Sequence, residues 1–404
     1  MSMRKKIQRC IVGGVAGGVA LAGAVVATAP AHAADVTTSR IGGTDRYHTS
    51  ALVSRAGFQP GVDTVFVASG ESFADALAAG SAAGRVGGPV LLTQGAALPP
   101  AIAEEVDRLD PHRIVVVGGE ASVSADVLSQ LGAHAPTVER IAGVDRYHTA
   151  ALLSSRYFPV NGVHVFVASG EEFADALAGA AASRRLGAPV LLTARDRLPA
   201  ATADELERID ANRIIILGGS AAVSDEVFGE AREFLSEHVY REAGADRYET
   251  SVRVSRAAFP SADTVYLANG LRFPDALSAA PLAAATDGPV LLVAGDTLTT
   301  EVCREVQRLG ATRIVALGGT AAVEDAVVNY VAAHCADGTP TPEPVGPPVA
   351  SGDVPPDQNI VCTSFQTQRQ AQEYYDYWVG KGFGDHFKLD EDGDGTPCEA
   401  LPRG

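Results

Sequence analysis

The apolar positions of this chain cluster into short runs that are hydrophobic on both faces, separated by longer amphipathic stretches. Thr64-Val65-Phe66-Val67-Ala68, Pro89-Val90-Leu91-Leu92-Thr93 and Arg113-Ile114-Val115-Val116-Val117 read as strands. Runs without a polar face predict strands buried on both sides, as in a parallel sheet. Between them the spacing predicts helices over 73–85, 99–109 and 124–131. Pro99 and Pro100 suit a helix start, where a missing N–H breaks no bond. Asp45-Arg46-Tyr47 through Gly57 predicts a further helix with Asp45 near its N-terminus. A βα pattern repeated about four times gives an α/β fold, a parallel sheet covered by helices.

The pattern returns twice. Arg40-Ile41-Gly42-Gly43-Thr44-Asp45-Arg46-Tyr47-His48-Thr49 recurs as Arg140-Ile141-Ala142-Gly143-Val144-Asp145-Arg146-Tyr147-His148-Thr149. It recurs again as Arg241-Glu242-Ala243-Gly244-Ala245-Asp246-Arg247-Tyr248-Glu249-Thr250. Each copy continues through Phe-x-Asp-Ala-Leu, Pro-Val-Leu-Leu, Arg-Ile and Gly-Gly in the same order. Internal repetition decides architecture before any single motif does. A unit of about 100 residues suffices for one small α/β domain. The units run over 40–139, 140–240 and 241–335, and suggest a pseudo-threefold assembly or a binder with several matched subsites.

The two ends differ from the repeats. Residues 1–33 read as a secretory signal: Arg4, Lys5, Lys6 and Arg9, then an apolar glycine-rich run, then Ala31-His32-Ala33 as a small-x-small cleavage site. No second long apolar run follows, so no membrane span is expected after cleavage. Residues 336–358 hold seven prolines, a composition expected to give an extended linker. A last module, residues 359–404, is aromatic-rich and of a size that usually needs a disulfide or a metal to stay folded.

Cleavage takes four basic residues and no acid from a formal net charge of −17, leaving −21. Such acidity disfavours nonspecific binding to nucleic acid. Four cysteines remain, and an even number in an exported chain reads as disulfides. Of the three pairings, sequence locality favours Cys303 with Cys335 and Cys362 with Cys398.

Comparing the copies isolates the positions one repeat needs. These include Asp45/Asp145/Asp246, Arg46/Arg146/Arg247, Tyr47/Tyr147/Tyr248, Asp75/Asp175/Asp275 and the pairs Gly118-Gly119, Gly218-Gly219 and Gly318-Gly319. The glycine pair reads as a tight strand-to-helix turn or as an anion cradle of backbone N–H groups. Asp75 falls in a helix's first turn, where a carboxylate offsets the dipole. The Asp-Arg-Tyr triplet reads equally as a cap with an inter-repeat ion pair and as a ligand-binding element. An arginine fork binds carboxylate or phosphate bidentately.

In the tail, Asp390, Asp392 and Asp394 stand at positions 1, 3 and 5 of a loop with Gly395 at 6. That is the first half of a calcium loop, three carboxylates converging around a sharp turn. Thr396 would offer its carbonyl. Position 12 is Leu401 rather than glutamate, so Glu399 is the expected substitute.

The tail resembles the Excalibur family, an extracellular calcium-binding module, through Asp390, Asp392, Asp394, Gly395, Cys398 and Glu399. The resemblance implies one Ca²⁺ site pinned by Cys362–Cys398. Residues 40 to about 335 resemble three copies of the cell-wall-binding repeat 2 family, on Arg-x-x-Gly-x-Asp-Arg-Tyr-x-Thr, Phe-x-Asp-Ala-Leu, Pro-Val-Leu-Leu and Arg-Ile…Gly-Gly. This implies Toprim-like domains working in threes as an internal pseudo-trimer within a monomer. It also implies noncovalent anchoring of a secreted, wall-associated protein to an anionic polymer of a Gram-positive wall. The alternatives are a wall hydrolase with a site in the repeats and an adhesin or matrix protein. No His-Glu-x-x-His and no Gly-x-Ser-x-Gly occurs, and the repeats contain no Asp-x-Asp. A non-catalytic binder is therefore expected.

Overall fold

The computed structural model describes residues 36–161, 163–272 and 274–336, and in the tail residues 362, 365, 368, 371, 372, 374, 375, 388–390 and 396–398. The expected signal segment, most of the proline-rich linker, Phe273, Asp392, Asp394 and Glu399 lie outside the described residues.

The first repeat runs β1 (Thr37–Ile41), α1 (Arg46–Gly57), β2 (Thr64–Ser69), α2 (Ala74–Val86), β3 (Val90–Thr93), α3 (Pro100–Leu109), β4 (Arg113–Val117) and α4 (Ala125–Leu131). The second runs β5 (Thr137–Ile141), α5 (Arg146–Tyr157), β6 (His164–Ser169), α6 (Ala174–Leu186), β7 (Val190–Thr193), α7 (Ala200–Ile209), β8 (Arg213–Leu217) and α8 (Asp225–Phe234). The third runs β9 (Val239–Glu242), α9 (Arg247–Ala258), β10 (Thr264–Asn269), α10 (Pro274–Leu277), α11 (Ala279–Thr286), β11 (Val290–Val293), α12 (Thr300–Leu309), β12 (Arg313–Leu317) and α13 (Asp325–Tyr330). A π-helical turn, Val331–Cys335, follows.

Three parallel four-stranded sheets result, ordered β3-β2-β4-β5, β7-β6-β8-β9 and β11-β10-β12-β1. No sheet is built from one sequence repeat. The first borrows its outer strand from the second repeat, with Val117 opposite Ile141. The second borrows β9 from the third, with Leu217 opposite Glu242. The third is completed by the N-terminal strand, Thr37 opposite Arg313 through Ile41 opposite Leu317. The repeats are thus closed into a ring by the chain's own first strand.

The inner strands are buried at nearly every residue, as their uniformly apolar sequences require. The borrowed strands are only partly covered, and their mixed sequences reflect it. At the centre, α2, α6 and α11 meet. A methyl group added at Gly80 would lie 3.4 Å from Ala280 Cβ and 3.5 Å from Ala180 Cβ. Alanine favours helix and lets the three axes approach closely. These helices are therefore buried on most sides, and one core spans all three repeats. In the third copy the long helix is split into α10 and α11. Pro281 lacks the N–H that would have bonded back to Leu277.

Each repeat also buries a glutamate. Glu105 and Glu305 are fully buried, and each meets two arginines: Arg55 at 2.9 Å and Arg108 at 2.6 Å, Arg256 at 3.1 Å and Arg308 at 2.6 Å. Glu205 meets Arg208 at 2.6 Å, while Arg156 turns instead to Glu139 at 3.5 Å.

The disulfide Cys303–Cys335 ties α12 to the π-helical turn, and Cys362–Cys398 closes the tail. Phe365, Ala371, Tyr374 and Leu389 pack around the second bridge. Among the described residues no helix is long and apolar enough to cross a membrane.

Candidate functional site

In the second sheet the chain leaves β6 in one direction to reach β7 and returns to the other side for β8. The loops after β6 and β8 therefore part at the carboxyl ends of the strands, where open α/β sheets bind ligands. A cavity of about 290 Å³ lies there. Glu172, Ala174 and Asp175 line it after β6, Gly219 and Ala222 after β8, and Gly244, Asp246, Arg247 and Thr250 after β9. The last four belong to the next repeat. The Phe-x-Asp, Gly-Gly and Gly-x-Asp-Arg-Tyr motifs thus converge at a junction between repeats. The sheet topology repeats this arrangement twice. It brings Asp75 and Gly118-Gly119 to Asp145 and Arg146, and Asp275 and Gly318-Gly319 to Asp45 and Arg46.

Each residue of the signature has an identifiable task. Asp45, Asp145 and Asp246 cap α1, α5 and α9, each carboxylate accepting the N–H three residues on at 2.8 Å. The Thr49, Thr149 and Thr250 hydroxyls accept the N–H groups of Gly43, Gly143 and Gly244 at 3.0 Å. These bonds fix the turn that presents the arginine.

Arg46, Arg146 and Arg247 each donate Nη1 to a carbonyl of their own repeat, at Gly70, Gly170 and Gly270, over 2.6, 2.5 and 2.7 Å. The guanidinium also faces the preceding repeat. Arg146 stands 5.8 Å from the Phe73 ring centroid and Arg247 6.0 Å from that of Phe173. Arg247 approaches Glu172 at 3.9 Å. The cap and, at Arg247, the inter-repeat ion pair expected from the sequence are both present.

Tyr47, Tyr147 and Tyr248 are half-buried, with their rings over Gly70, Gly170 and Gly270. A methyl group at those glycines would come within 2.8, 2.6 and 2.8 Å of the rings. Burial pushes all three phenols above their ordinary pKa, and Glu71 adds to the effect at Tyr47.

The first glycine of each pair is a turn residue. Gly118, Gly218 and Gly318 have φ of +102°, +98° and +89°. A side chain there would collide with Asp75, Asp175 or Asp275. Their N–H groups are taken by the carbonyls of Ile141, Glu242 and Ile41 at 2.8–2.9 Å. The first glycine therefore does not offer its N–H to an anion. The second, Gly119, Gly219 or Gly319, has open space before it.

One set of inter-repeat residues was legible in the signature but carried no assigned role. Arg40, Arg140 and Arg241 donate Nη1 to the carbonyls of Gly318, Gly118 and Gly218 over 2.9, 2.6 and 2.9 Å. They stitch each borrowed strand to its sheet.

The buried acids set the junction's electrostatics. Burial raises Asp75, against a hydrogen bond from Ser122 and the charge of Arg146. Asp175 is pushed up to about 6 by burial; Arg247 opposes the shift and Glu172 adds to it.

A larger cavity, about 510 Å³, runs between α5 and α7 with Asp145, His148 and Arg197 in its lining. Arg197 is replaced by Ala97 and Thr297 in the other copies, so its cation belongs to this repeat alone. In the tail, Asp390 is buried and accepts a hydrogen bond from the Tyr375 hydroxyl at 3.2 Å, while the Cys398 N–H donates to Leu389 at 2.9 Å. Thr396 is partly exposed.

Residues 40–128, 140–228 and 241–328 match the family described as Cell wall binding domain 2 (CWB2). The N-acetylmuramoyl-L-alanine amidase LytC of Bacillus subtilis (strain 168) is 26% identical over 302 residues, which cover 75% of this chain and 59% of that protein. The Amidase enhancer of the same organism is 30% identical over 297 residues, 73% of this chain and 40% of that one. The chain thus spans less than two thirds of either relative. Among solved structures, Cwp8 from Clostridium difficile is similar with a TM-score of 0.67 and 27% identity, over 74% of this chain and 52% of that one. Cwp6 from the same organism shares the fold, with a TM-score of 0.69 and 24% identity over 79% and 51%. By the match of all three repeats the chain belongs to the cell wall binding domain 2 family.

Proposed function

We propose that the chain is a secreted, non-catalytic protein that holds noncovalently to an anionic polymer of a Gram-positive wall through the junctions between its repeats. The observation that carries this reading is the convergence of three signature motifs, from two repeats, around one arginine at the carboxyl edge of a sheet. A planar guanidinium suits phosphate and carboxylate groups. Three junctions on one ring let a repetitive polymer engage more than once, so individually weak contacts sum by effective concentration. The −21 charge of the mature chain opposes this only locally, because charges beyond about 8 Å are largely screened at physiological ionic strength.

The ring is closed by its own β1, so the assembly is complete within one chain, and we assign it as a monomer. The tail is assigned one calcium ion, held by Asp390, Asp392, Asp394, Glu399 and the Thr396 carbonyl. Of these, the described Asp390 fits: a buried carboxylate that meets a tyrosine hydroxyl gains from a hard cation. When bound, the ion would cross-brace the loop. No specific observation favours the hydrolase or adhesin alternatives.

The test is competition. Purified mature protein is sedimented with isolated walls in the presence of polymer released from those walls. Soluble polymer is expected to keep the protein in the supernatant, and neutral glycan at equal mass is expected to have no effect. Insensitivity to the released polymer would count against the reading.

A further inference from the structure

The three junctions are alike in backbone and unlike in charge. At the position of Glu172, the first junction has Ser72 and the third has Arg272. The preceding residue is Glu71, Glu171 and Leu271 in turn. The first junction therefore sets Arg146 against Asp75 and Asp145. The second sets Arg247 against Glu172, Asp175 and Asp246, and Arg247 is already drawn to Glu172 at 3.9 Å. The third forms where the N-terminal strand completes the third sheet, and by the same strand order it brings the turn of Asp45 and Arg46 to the loop of Arg272 and Asp275, two arginines to two aspartates. Neither of these arginines makes an ion pair among the described residues, and Arg272 is exposed.

The loop that carries Arg272 is also held differently. In the first two junctions a serine ends the strand, and the Ser69 and Ser169 hydroxyls accept N–H groups of the loop at 3.1 Å. In the third the residue is Asn269, which is buried. Its Oδ1 accepts the N–H groups of Leu271 and Arg272 at 2.7 and 3.0 Å, and its Nδ2 donates across the junction to the Ala322 carbonyl at 2.6 Å. The arginine-bearing loop is thereby clamped to the opposite wall of the crevice. A donor fixed before binding loses less entropy when the ligand arrives.

We propose that the junction closed by the N-terminal strand is the anion-accepting one, with Arg46 and Arg272 gripping an oxyanion of the polymer, phosphodiester or carboxylate, while in the other two junctions carboxylates outnumber the arginine and the polymer makes only uncharged contacts. This rests on the wall-binding reading above. It adds that the binding element is assembled only when the first and last parts of the folded ring meet.

The experiment uses the full mature chain and three variants, Arg272→Glu, Arg272→Ser and Glu172→Arg, with circular dichroism to confirm folding. Binding is measured by wall sedimentation and by calorimetry with polyglycerol phosphate and with polygalacturonate, neutral dextran serving as control. Arg272→Glu is expected to weaken binding at least tenfold and Arg272→Ser by less. Glu172→Arg is expected to strengthen it several-fold by giving the second junction the second arginine of the third, although Glu171 stays where the third has Leu271. The polyanion preferred by the native chain identifies the oxyanion. If the native chain sediments with walls and Arg272→Glu sediments equally, wall binding stands and this inference falls. Wall binding without affinity for either polyanion also overturns it. Failure of the native chain to sediment with walls at all would overturn the wall-binding reading itself. If Arg272→Glu does not fold, Glu172→Arg decides, and binding unchanged from the native chain would count against the proposal.

Discussion

The guanidinium of Arg247 stands 3.9 Å from the carboxylate of Glu172, and the two belong to different repeats. The contact shows how the ring is organised: the arginine of each signature is held by its own repeat and faced by the acids of the one before. It also places a buried acid, Asp175, between an attracting and a repelling charge.

Replacing Glu172 with glutamine is therefore expected to lower the Asp175 pKa below its value of about 6, and replacing Arg247 with alanine to raise it. Carboxyl-carbon NMR titration of Asp175 reads both shifts directly. The raised pKa also has a stability consequence. The folded state holds the Asp175 proton more tightly than the unfolded chain, whose value is near 3.8. Its favourable contribution is thus complete below about pH 4 and is lost as pH rises through 6. The stability advantage of Asp175→Asn over the native chain should be nil near pH 4 and reach at most about 3 kcal/mol above pH 7. Urea unfolding at the two pH values measures it.

The buried glutamates give an unequal series. Burial pushes the Glu105 carboxyl up, but hydrogen bonds from Arg108 and Arg55 outweigh it and hold the pKa below the ordinary value. Arg108→Ala leaves Glu105 with Arg55, whereas Arg208→Ala strips Glu205 of the arginine that meets it. Leaving a buried charge unpaired costs about 3–5 kcal/mol. Arg208→Ala is expected to approach that range and Arg108→Ala to fall below it. Equal losses in thermal unfolding would contradict the pairing described here.

Ring closure is the third point of test. The Cys303–Cys335 bridge spans 32 residues and encloses β12, the strand on which β1 docks. A disulfide closing a loop of this size contributes about 2–4 kcal/mol. Cys303→Ser with Cys335→Ser should lower stability by that amount. It should also speed hydrogen exchange in Thr37–Ile41 more than in the borrowed strand Thr137–Ile141, which docks on a sheet without this bridge. Uniform exchange across the two strands would show that the bridge does not secure the closure.

Much of the fold was legible in the sequence because its inner strands are apolar on both faces and its helices begin at Pro99-Pro100 and at the Asp45 cap. The borrowed strands were not. Thr37-Thr38-Ser39-Arg40-Ile41 and Thr137-Val138-Glu139-Arg140-Ile141 are partly exposed edges with mixed polarity, so neither period marks them as strands. Their partners lie in another repeat, and for β1 at the far end of the ring, a relationship that no local pattern encodes. At the site, recurrence identified the residues but not their division of labour. Asp45 reads as a cap from its neighbours alone. The role of Gly118 depends on Asp75 and Ile141, which meet it only in the folded ring.

For the tail, calorimetry on the oxidised full mature chain is expected to show one calcium site, in the range of about 10⁻⁴–10⁻³ M common to extracellular modules. Asp392→Ala should abolish it, and reduction of Cys362–Cys398 should weaken it. No heat at millimolar calcium would leave the loop an acidic turn.

The central claim is most directly tested by the binding isotherm of the mature protein on isolated walls before and after anionic polymers are stripped from them. The account predicts saturable binding to intact walls that falls at least tenfold after stripping and weakens with added salt. Undiminished binding to stripped walls would contradict it.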